Sequence, residues 1–325
     1  MASLGENLTF RWAPCADGAR LLRVYGDTPC PALPSRLAGR PLTEIAPYCF
    51  AASPRAGRAG ALWAAPGAGG AAVPDASHPL CGDFLTDVRL PASVRVLDSA
   101  VFYNCRSLRS LTVGPAIEAL GSDLFTNCGA LADLYVTAQP GSPTGLKKLL
   151  SALTADITVH FLAPDEQARL FYPEYFEWLD ENTPAHIFTH SIEGEGYRYR
   201  QCFDGGRQLF AEYDAAFSQA AVGETPAKLC RLALGRLRFP CALTAEAQAA
   251  YRGWLADHLP DALSFILDAR DAGALGWLCG SGLPDAALLA QGAARCGRLG
   301  WTEGAALLLN AAACRKRTPR RYDFD

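Results

Sequence analysis

The sequence of 325 residues lacks several features that would place it in a class at once. It has no run of about 18 apolar residues, which excludes a membrane-spanning helix. Its first 26 residues hold no basic segment followed by an apolar stretch, so we expect no secretory signal. The formal net charge is only −3, which excludes binding to a polyanion through bulk charge. The length and the 50% apolar content suit two or three folded domains.

Paired cysteines are also missing, because none of the twelve cysteines forms a C-x-x-C motif. This spacing indicates neither a zinc ribbon nor a thioredoxin-type site. Disulfide frameworks are typical of small secreted domains. We therefore interpret the cysteines as reduced, mostly buried thiols of a cytoplasmic protein. The chain also has no G-x-S-x-G elbow, Walker loop or H-E-x-x-H motif, so we predict no enzyme, no cofactor and no metal site.

What the sequence does contain is an internal repeat of 23 residues. Apolar residues of three consecutive units coincide at this offset: Leu85, Val88 and Leu90; Leu108, Leu111 and Val113; Leu131, Leu134 and Val136. The alternation within L-x-x-L-x-V predicts a short strand with these residues facing inward. Because one unit cannot bury its own apolar face, the units must stack to form a core. The repeat therefore predicts a solenoid.

A second group of repeated residues is expected on the opposite wall of the solenoid. It is Phe102, Asn104 and Cys105 in one unit and Phe125, Asn127 and Cys128 in the next. We expect Phe and Cys to point into the interior. We expect the Asn side chain to be buried and to hydrogen-bond free backbone groups, since an unsatisfied buried amide costs about 1–3 kcal/mol.

The unit LPASVRVLDSAVFYNCRSLRSLTV resembles the BspA-like leucine-rich repeat, which reads P-x-x-V-x-x-I-x-x-x-A-F-x-x-C-x-x-L-x-x-I-x-I. Upstream residues resemble the beginning of the same family: Tyr25, Gly26, Leu33, Pro34, Gly39, Pro41, Leu42, Ile45 and Phe50. The resemblance covers about residues 20–137 and implies a leucine-rich-repeat solenoid. An Ala-, Gly- and Pro-rich stretch at roughly 54–79 interrupts it as a degenerate coil or a surface loop. Many members are secreted adhesins, but that role does not carry over to a chain without an expected signal.

The segment 138–222 is acidic, with 12 acidic against 6 basic residues. Its pattern predicts a helix in LKKLLSALT and a strand in ITVHFL. HIFTHSI and YRYRQCF are predicted to pair as a hairpin across residues 193–196. The acidic residues have no metal-ligand spacing, and we interpret them as a solvated face. His186 and His190 would share a strand face but lie about 13 Å apart, too far for one ion. The other three histidines, His78, His160 and His258, have no evident partner in the sequence.

From about residue 223 the apolar period becomes helical, with start signals at Thr244 and Asp285. The last helix follows Gly300 and resembles the second helix of an ankyrin repeat, and AGALGWLCGSG resembles the same helix one unit upstream. This resemblance implies stacked helix pairs of ankyrin-like type. The predicted fold class is therefore α+β. It consists of a leucine-rich-repeat solenoid (1–137), an acidic α/β middle segment (138–222) and an all-helical domain with a basic tail (223–325).

Repeat arrays present broad surfaces to macromolecules, so we predict a bacterial, cytoplasmic protein–protein interaction scaffold or adaptor of unknown partner. Its binding surface would be the strand face of the repeat, where Arg89, Thr112 and Tyr135 occupy the alternate, outward positions. Arg and Tyr are enriched at interfaces.

Two alternatives stay open. One is an enzyme with a site in residues 160–215, which would use the acidic residues with Tyr197, Tyr199 or Cys202. The other is a weak nucleic-acid binder that uses the basic tail, Arg315–Arg321. Nucleic acid is disfavoured as a partner because five charges without an aromatic platform are a weak signal.

Overall fold

The computed structural model describes residues 8–53, 55, 59–64, 75–182 and 187–316. The chain divides into two compact units between Tyr213 and Asp214. A β-solenoid lies in the first unit and a helical region follows it, which confirms the predicted fold class. No helix within the described ranges is long and apolar enough to cross a bilayer.

Sixteen strands lie within the described residues: β1 (Thr9–Cys15), β2 (Gly18–Tyr25), β3 (Arg36–Leu37), β4 (Arg40–Ile45), β5 (Ala61–Ala64), β6 (Asp87–Arg89), β7 (Val96–Leu97), β8 (Ser110–Val113), β9 (Ala119–Leu120), β10 (Asp133–Val136), β11 (Ile157–Leu162), β12 (Gln167–Tyr172), β13 (Phe176–Asn182), β14 (Ile187–Glu193), β15 (Phe203–Asp204) and β16 (Arg207–Gln208). A 3-10 turn spans Gly82–Phe84.

The same residues contain ten α-helices: α1 (Leu146–Ser151), α2 (Gly196–Gln201), α3 (Phe210–Ala215), α4 (Phe217–Gly223), α5 (Pro226–Arg238), α6 (Ala245–Asp257), α7 (Leu259–Ala269), α8 (Ala272–Gly280), α9 (Ala286–Arg298) and α10 (Thr302–Lys316).

Each complete unit of the 23-residue repeat places one strand in each of two sheets. The seven-stranded sheet has the order β5-β1-β2-β4-β7-β9, with β3 beside β4, and the five-stranded sheet has the order β12-β11-β10-β8-β6. In the five-stranded sheet, β6, β8 and β10 are parallel and in register, so Val88, Leu111 and Leu134 lie side by side. All three are fully buried. Their burial confirms the predicted inward residues. The pairing of residues 23 positions apart shows that one repeat unit forms one turn of the solenoid.

The opposite wall carries a stack of phenylalanines. The rings of Phe50 and Phe102 lie 5.3 Å apart and almost parallel, and Phe102 and Phe125 follow at 5.8 Å. The buried thiols of Cys105 and Cys128 donate to the backbone carbonyls of Phe50 and Phe102, at 3.3 and 3.0 Å. Burial raises the pKa of Cys105 to about 12 and that of Cys128 to about 11, so both stay protonated. The predicted inward direction of Phe and Cys is confirmed.

The predicted burial of the asparagines is wrong. Asn104 is half-buried and Asn127 is exposed, and Nδ2 of Asn127 donates to Oδ1 of Asn104 at 2.7 Å. Both residues have a backbone φ of 61°, in the left-handed region. Asn tolerates this conformation better than most residues, because its short polar side chain bonds locally. The asparagines therefore shape the turn and form a surface ladder.

Close stacking of the turns depends on glycine at Gly121. A Cβ at this position would collide with the backbone of Asp98 and Ser99 in the preceding turn. We expect Gly121→Ala to destabilise the solenoid by about 1–3 kcal/mol, because the turns must separate to admit the methyl group. The matched control is Gly129→Ala, since a Cβ at Gly129 has nothing within 4 Å. Urea denaturation should show a change within about 0.5 kcal/mol for that control. Equal losses in the two variants would contradict this packing.

The Ala-, Gly- and Pro-rich interruption does not form a coil of the repeat in its described part. It contributes β5, which pairs antiparallel with β1, and β1 in turn pairs antiparallel with β2. Because β2 runs parallel to β4, this three-stranded group extends the seven-stranded sheet from one edge. Residues 65–74 of the interruption lie outside the described residues.

The other end of the five-stranded sheet is formed by the middle segment. The predicted helix and strand are found as α1 and β11, and β11 pairs parallel with β10 in the sheet of the repeat. The antiparallel strand β12 then ends the sheet. Residues 138–213 thus belong to the same compact unit as the repeat. Independent folding of the two parts, which the boundary at residue 137 implied, stays a prediction.

The predicted hairpin between HIFTHSI and YRYRQCF is wrong. Strand β14 pairs antiparallel with β13, which precedes it, and residues 196–201 form the helix α2 instead of a strand. The reason is Arg200, which is buried and hydrogen-bonds to four backbone carbonyls: those of Leu153, Pro173, Gly196 and Ala155. Burial lowers the pKa of Arg200 to about 10, so it is charged at neutral pH and satisfied by these carbonyls.

The second unit consists of helices. Side-chain oxygens of Thr244, Asp271 and Asp285 accept hydrogen bonds from the N–H three residues on and cap α6, α8 and α9. The start signals at Thr244 and Asp285 are therefore confirmed. Helix α10 packs against α9 and α8. The ankyrin-like type of this pairing stays a prediction. Most of the basic tail falls in residues 317–325, outside the described residues.

Candidate functional site

The outer face of the five-stranded sheet carries a continuous row of polar and aromatic residues, which we call the outer row. Strand register places its members next to one another in the order Arg89, Thr112, Tyr135, His160 and Arg169. Arg89 is exposed and the other four are half-buried. Because side chains alternate along a strand, the outer row stands opposite the buried residues of the core. The structure thus brings the three predicted site residues together.

The centre of the outer row is an aromatic pair. The rings of Tyr135 and His160 are stacked, with their centroids 4.5 Å apart. His160 Nε2 lies 2.7 Å from Oδ1 of Asp133, which fixes the imidazole against the sheet. Burial, with help from the charge of Asp133, raises the pKa of the Tyr135 phenol. Its hydroxyl is therefore a hydrogen-bond donor at neutral pH.

A second row runs beside the outer row and is acidic. Register places its members side by side: Asp87, Ser110, Asp133 and Thr158. Ser110 Oγ donates to Asp87 at 2.5 Å, and Thr86 Oγ1 and Cys30 Sγ donate to the same carboxylate at 2.8 and 3.2 Å. Partial burial alone would raise the pKa of Asp87, but these hydrogen bonds and the charge of Arg109 lower it. The carboxylate is thus ionised and held in place.

His160 and Arg169 were not predicted from the sequence as members of the outer row. The statement that His160 has no partner is wrong, since it contacts Asp133 and Tyr135. A signal was present: ITVHFL alternates like the repeat strands, which puts His160 at the position equivalent to Tyr135. The helix α1 masks that equivalence because it lengthens the spacing between the strands. His78 and His258 also have neighbours, at 2.7 Å from Ser77 Oγ and 2.8 Å from the carbonyl of Trp254.

The residues proposed for an enzyme in 160–215 lie apart in the described structure. Tyr197 is exposed and packs edge-on against Tyr175, whereas Tyr199 is buried against Tyr213. Cys202 is buried, and its thiol donates to the carbonyl of Arg198 at 3.5 Å. Helix α2 and the residue that follows it thus direct these three side chains to different surroundings.

The cysteines and histidines form no metal centre within the described residues. No group of three or more His, Cys, Asp or Glu is placed to hold an ion there. All twelve cysteines are described and all are free thiols, seven of them buried. His186 lies outside the described residues, and His190 stands 3.8 Å from the carboxylate of Glu177.

The repeat geometry agrees with a comparison against known families. The model of the BspA type leucine rich repeat region (6 copies) matches residues 80–141. Residues 80–141 are a BspA-type leucine-rich repeat region. This BspA-type region holds β6, β8 and β10, and therefore Arg89, Thr112 and Tyr135 of the outer row. No match to the chain is found among curated proteins or among solved structures.

Proposed function

We propose that this chain is a protein-binding scaffold that holds a partner protein on the outer row of its BspA-type repeat. The observation that carries the proposal is the register of Arg89, Thr112 and Tyr135, which lie side by side on the outer face of three parallel strands. A rigid core fixes their backbone positions, so binding would not require the face to be ordered first. Leucine-rich repeats commonly bind proteins, and the array presents a broad surface.

The composition of the face indicates how a partner would be held. Tyr135 and His160 form an aromatic platform, and aromatic residues and Arg dominate the energetics of protein interfaces. Cationic Arg89 stands on the outer row, while Asp87 and Asp133 stand beside it. A partner must therefore present both signs of charge in a matching order, which favours specificity over bulk attraction.

The free thiols support a reducing compartment, and we propose the cytoplasm. The face itself supports a binding role. Its polar groups lie along the outer face of a sheet, whereas small-molecule and cofactor sites are typically enclosed clefts.

The test is affinity capture from lysate with quantitative mass spectrometry, followed by binding measurements with the purified partner. We expect the wild type to retain a specific partner and the triple variant Arg89→Ala, Thr112→Ala, Tyr135→Ala to bind it at least tenfold more weakly. Truncation of residues at the centre of an interface commonly costs 2 kcal/mol or more, which is about thirtyfold in affinity.

The matched control changes the same residue types outside the five-stranded sheet: Arg95→Ala, Tyr103→Ala and Thr126→Ala. These three side chains are exposed or half-buried, like those of the outer row. The control variant should bind the partner like the wild type. A partner that both variants retain equally would place the binding surface elsewhere, and loss in both variants would make the effect non-specific.

A further inference from the structure

The strands β13 and β14 form a ribbon, which we define by the residues 176–180 and 189–193. The two strands make a two-stranded sheet of their own, apart from both sheets of the solenoid. Two-stranded hairpins are marginally stable in water, and a third strand or a packed face is needed for independent stability. No third strand among the described residues pairs with the ribbon, so its backbone edges are open to another strand.

The ribbon also exposes large apolar side chains. Trp178 is 52% exposed and Leu179 is 69% exposed, and Phe176 and Ile192 are exposed beside them. Register places Phe176 and Trp178 on one face and Leu179 with Ile192 on the other. Both faces thus present an apolar surface to water. Clustered exposure of this kind marks an interaction site in a folded protein.

The charge of the ribbon is of one sign. Glu177, Asp180 and Glu193 are exposed on it. The sequence has no Lys or Arg from residue 170 to residue 197. Natural edge strands are usually protected by Lys or Pro. The described strands of the ribbon have neither. Its acidic residues therefore disfavour pairing with an acidic strand and favour pairing with a cationic one.

We propose that the ribbon is a docking site for an extended segment of a partner protein in which apolar residues alternate with Lys or Arg. Such a segment would add a strand to the edge of the ribbon through backbone hydrogen bonds. Because side chains alternate along the added strand, its apolar residues would cover one face of the ribbon and its cations the other. The cations would face Asp180 and Glu193 when the apolar residues cover Leu179, and Glu177 when they cover Trp178. A second copy of the chain is disfavoured, because pairing two ribbons brings these carboxylates together.

The experiment uses the full chain and two fluorescein-labelled peptides, (Val-Arg)4 and (Val-Glu)4, in fluorescence anisotropy at low salt. We expect (Val-Arg)4 to bind at least tenfold more tightly than (Val-Glu)4, and to weaken as the salt concentration rises. The variant Trp178→Ser, Leu179→Ser should lose at least tenfold in affinity. The matched control is Val222→Ser, Leu309→Ser, which removes two other exposed apolar side chains and should bind like the wild type.

A second variant keeps the apolar surface intact and tests the charge. The variant Glu177→Gln, Glu193→Gln should bind (Val-Arg)4 more weakly than the wild type. The matched control Glu118→Gln, Asp123→Asn removes two exposed carboxylates elsewhere and should bind the peptide like the wild type. The triple variant of the outer row should bind the peptide normally, which separates this site from the proposed scaffold face. The proposal would be overturned by any of three results: equal affinity for the two peptides, no binding of (Val-Arg)4, or an equal loss of affinity in both charge variants. A wild-type dimer that sedimentation shows to dissociate in Trp178→Ser, Leu179→Ser would also overturn it.

Discussion

Replacing Arg236 by Met is expected to destabilise the helical unit by about 3–5 kcal/mol, the usual loss when one partner of a buried ion pair is removed. Arg236 is completely buried, and its Nε and Nη2 donate to the two carboxylate oxygens of Asp214 at 2.7 and 2.9 Å. Nη2 also donates to the carbonyl of Cys241 at 2.9 Å. Without the guanidinium, a buried carboxylate keeps only a hydrogen bond from Tyr251 among these contacts.

Urea denaturation followed by circular dichroism at 222 nm would measure this loss, because most helices lie in the second unit. The matched control is Arg295→Met. Arg295 also donates to an aspartate, Asp268, at 2.6 Å, but the two side chains are 34% and 60% exposed. An exposed pair contributes about 0–1 kcal/mol. A loss for Arg236→Met no larger than the control's would contradict the assigned role of the buried pair.

The double variant Arg236→Met, Asp214→Leu distinguishes the charge from the packing. Buried ion pairs are often replaceable by apolar residues at little net cost. We therefore expect the double variant to recover part of the stability lost by Arg236→Met. A double variant that is less stable than the single one would instead show that the Asp214 carboxylate is needed for its contact with Tyr251.

The solenoid was predictable from sequence because its determinants are local and repeated. Leu111 and Leu134 recur at an offset of 23 residues, and that offset is one turn of the structure. Each repeat unit therefore predicts the same strand and the same inward positions, so a departure from the pattern in one unit does not change the prediction. The outward positions of Arg89, Thr112 and Tyr135 follow directly from the alternation. The repeat pattern alone therefore identifies three neighbours of the outer row.

The parts that were missed depend on contacts between residues distant in the chain. Tyr197–Cys202 has strand-like alternation, but Arg200 bonds to carbonyls of residues 153 and 155, more than 40 positions earlier. That contact outweighs a weak local preference and produces the helix α2. Likewise, His160 joins the outer row and stacks on Tyr135 only because β11 lies beside β10. The burial of Arg236 also has no local signal, since its partner Asp214 precedes it by 22 residues.

Replacing Phe102 by Ala is expected to destabilise the solenoid by about 3–5 kcal/mol, through lost burial and the cavity that remains. Phe102 is fully buried and is the middle ring of the stack, in contact with Phe50 on one side and Phe125 on the other. The backbone carbonyl of Phe102 also accepts the thiol of Cys128. The cavity would therefore lie where two adjoining turns are joined, and collapse into it would disturb both.

Hydrogen exchange of peptides from residues 80–141 along a urea series would measure the loss where it occurs. Phe125→Ala should cost less than Phe102→Ala, because Phe125 stacks on one phenylalanine in place of two. The control Phe84→Ala removes a ring that is about half exposed and should change the free energy of unfolding by about 0.5 kcal/mol or less. Losses of equal size at Phe84 and Phe102 would mean that the stack is not what holds the turns together. The order Phe102, Phe125, Phe84 follows from how deeply each ring is buried and from how many phenylalanines it stacks on.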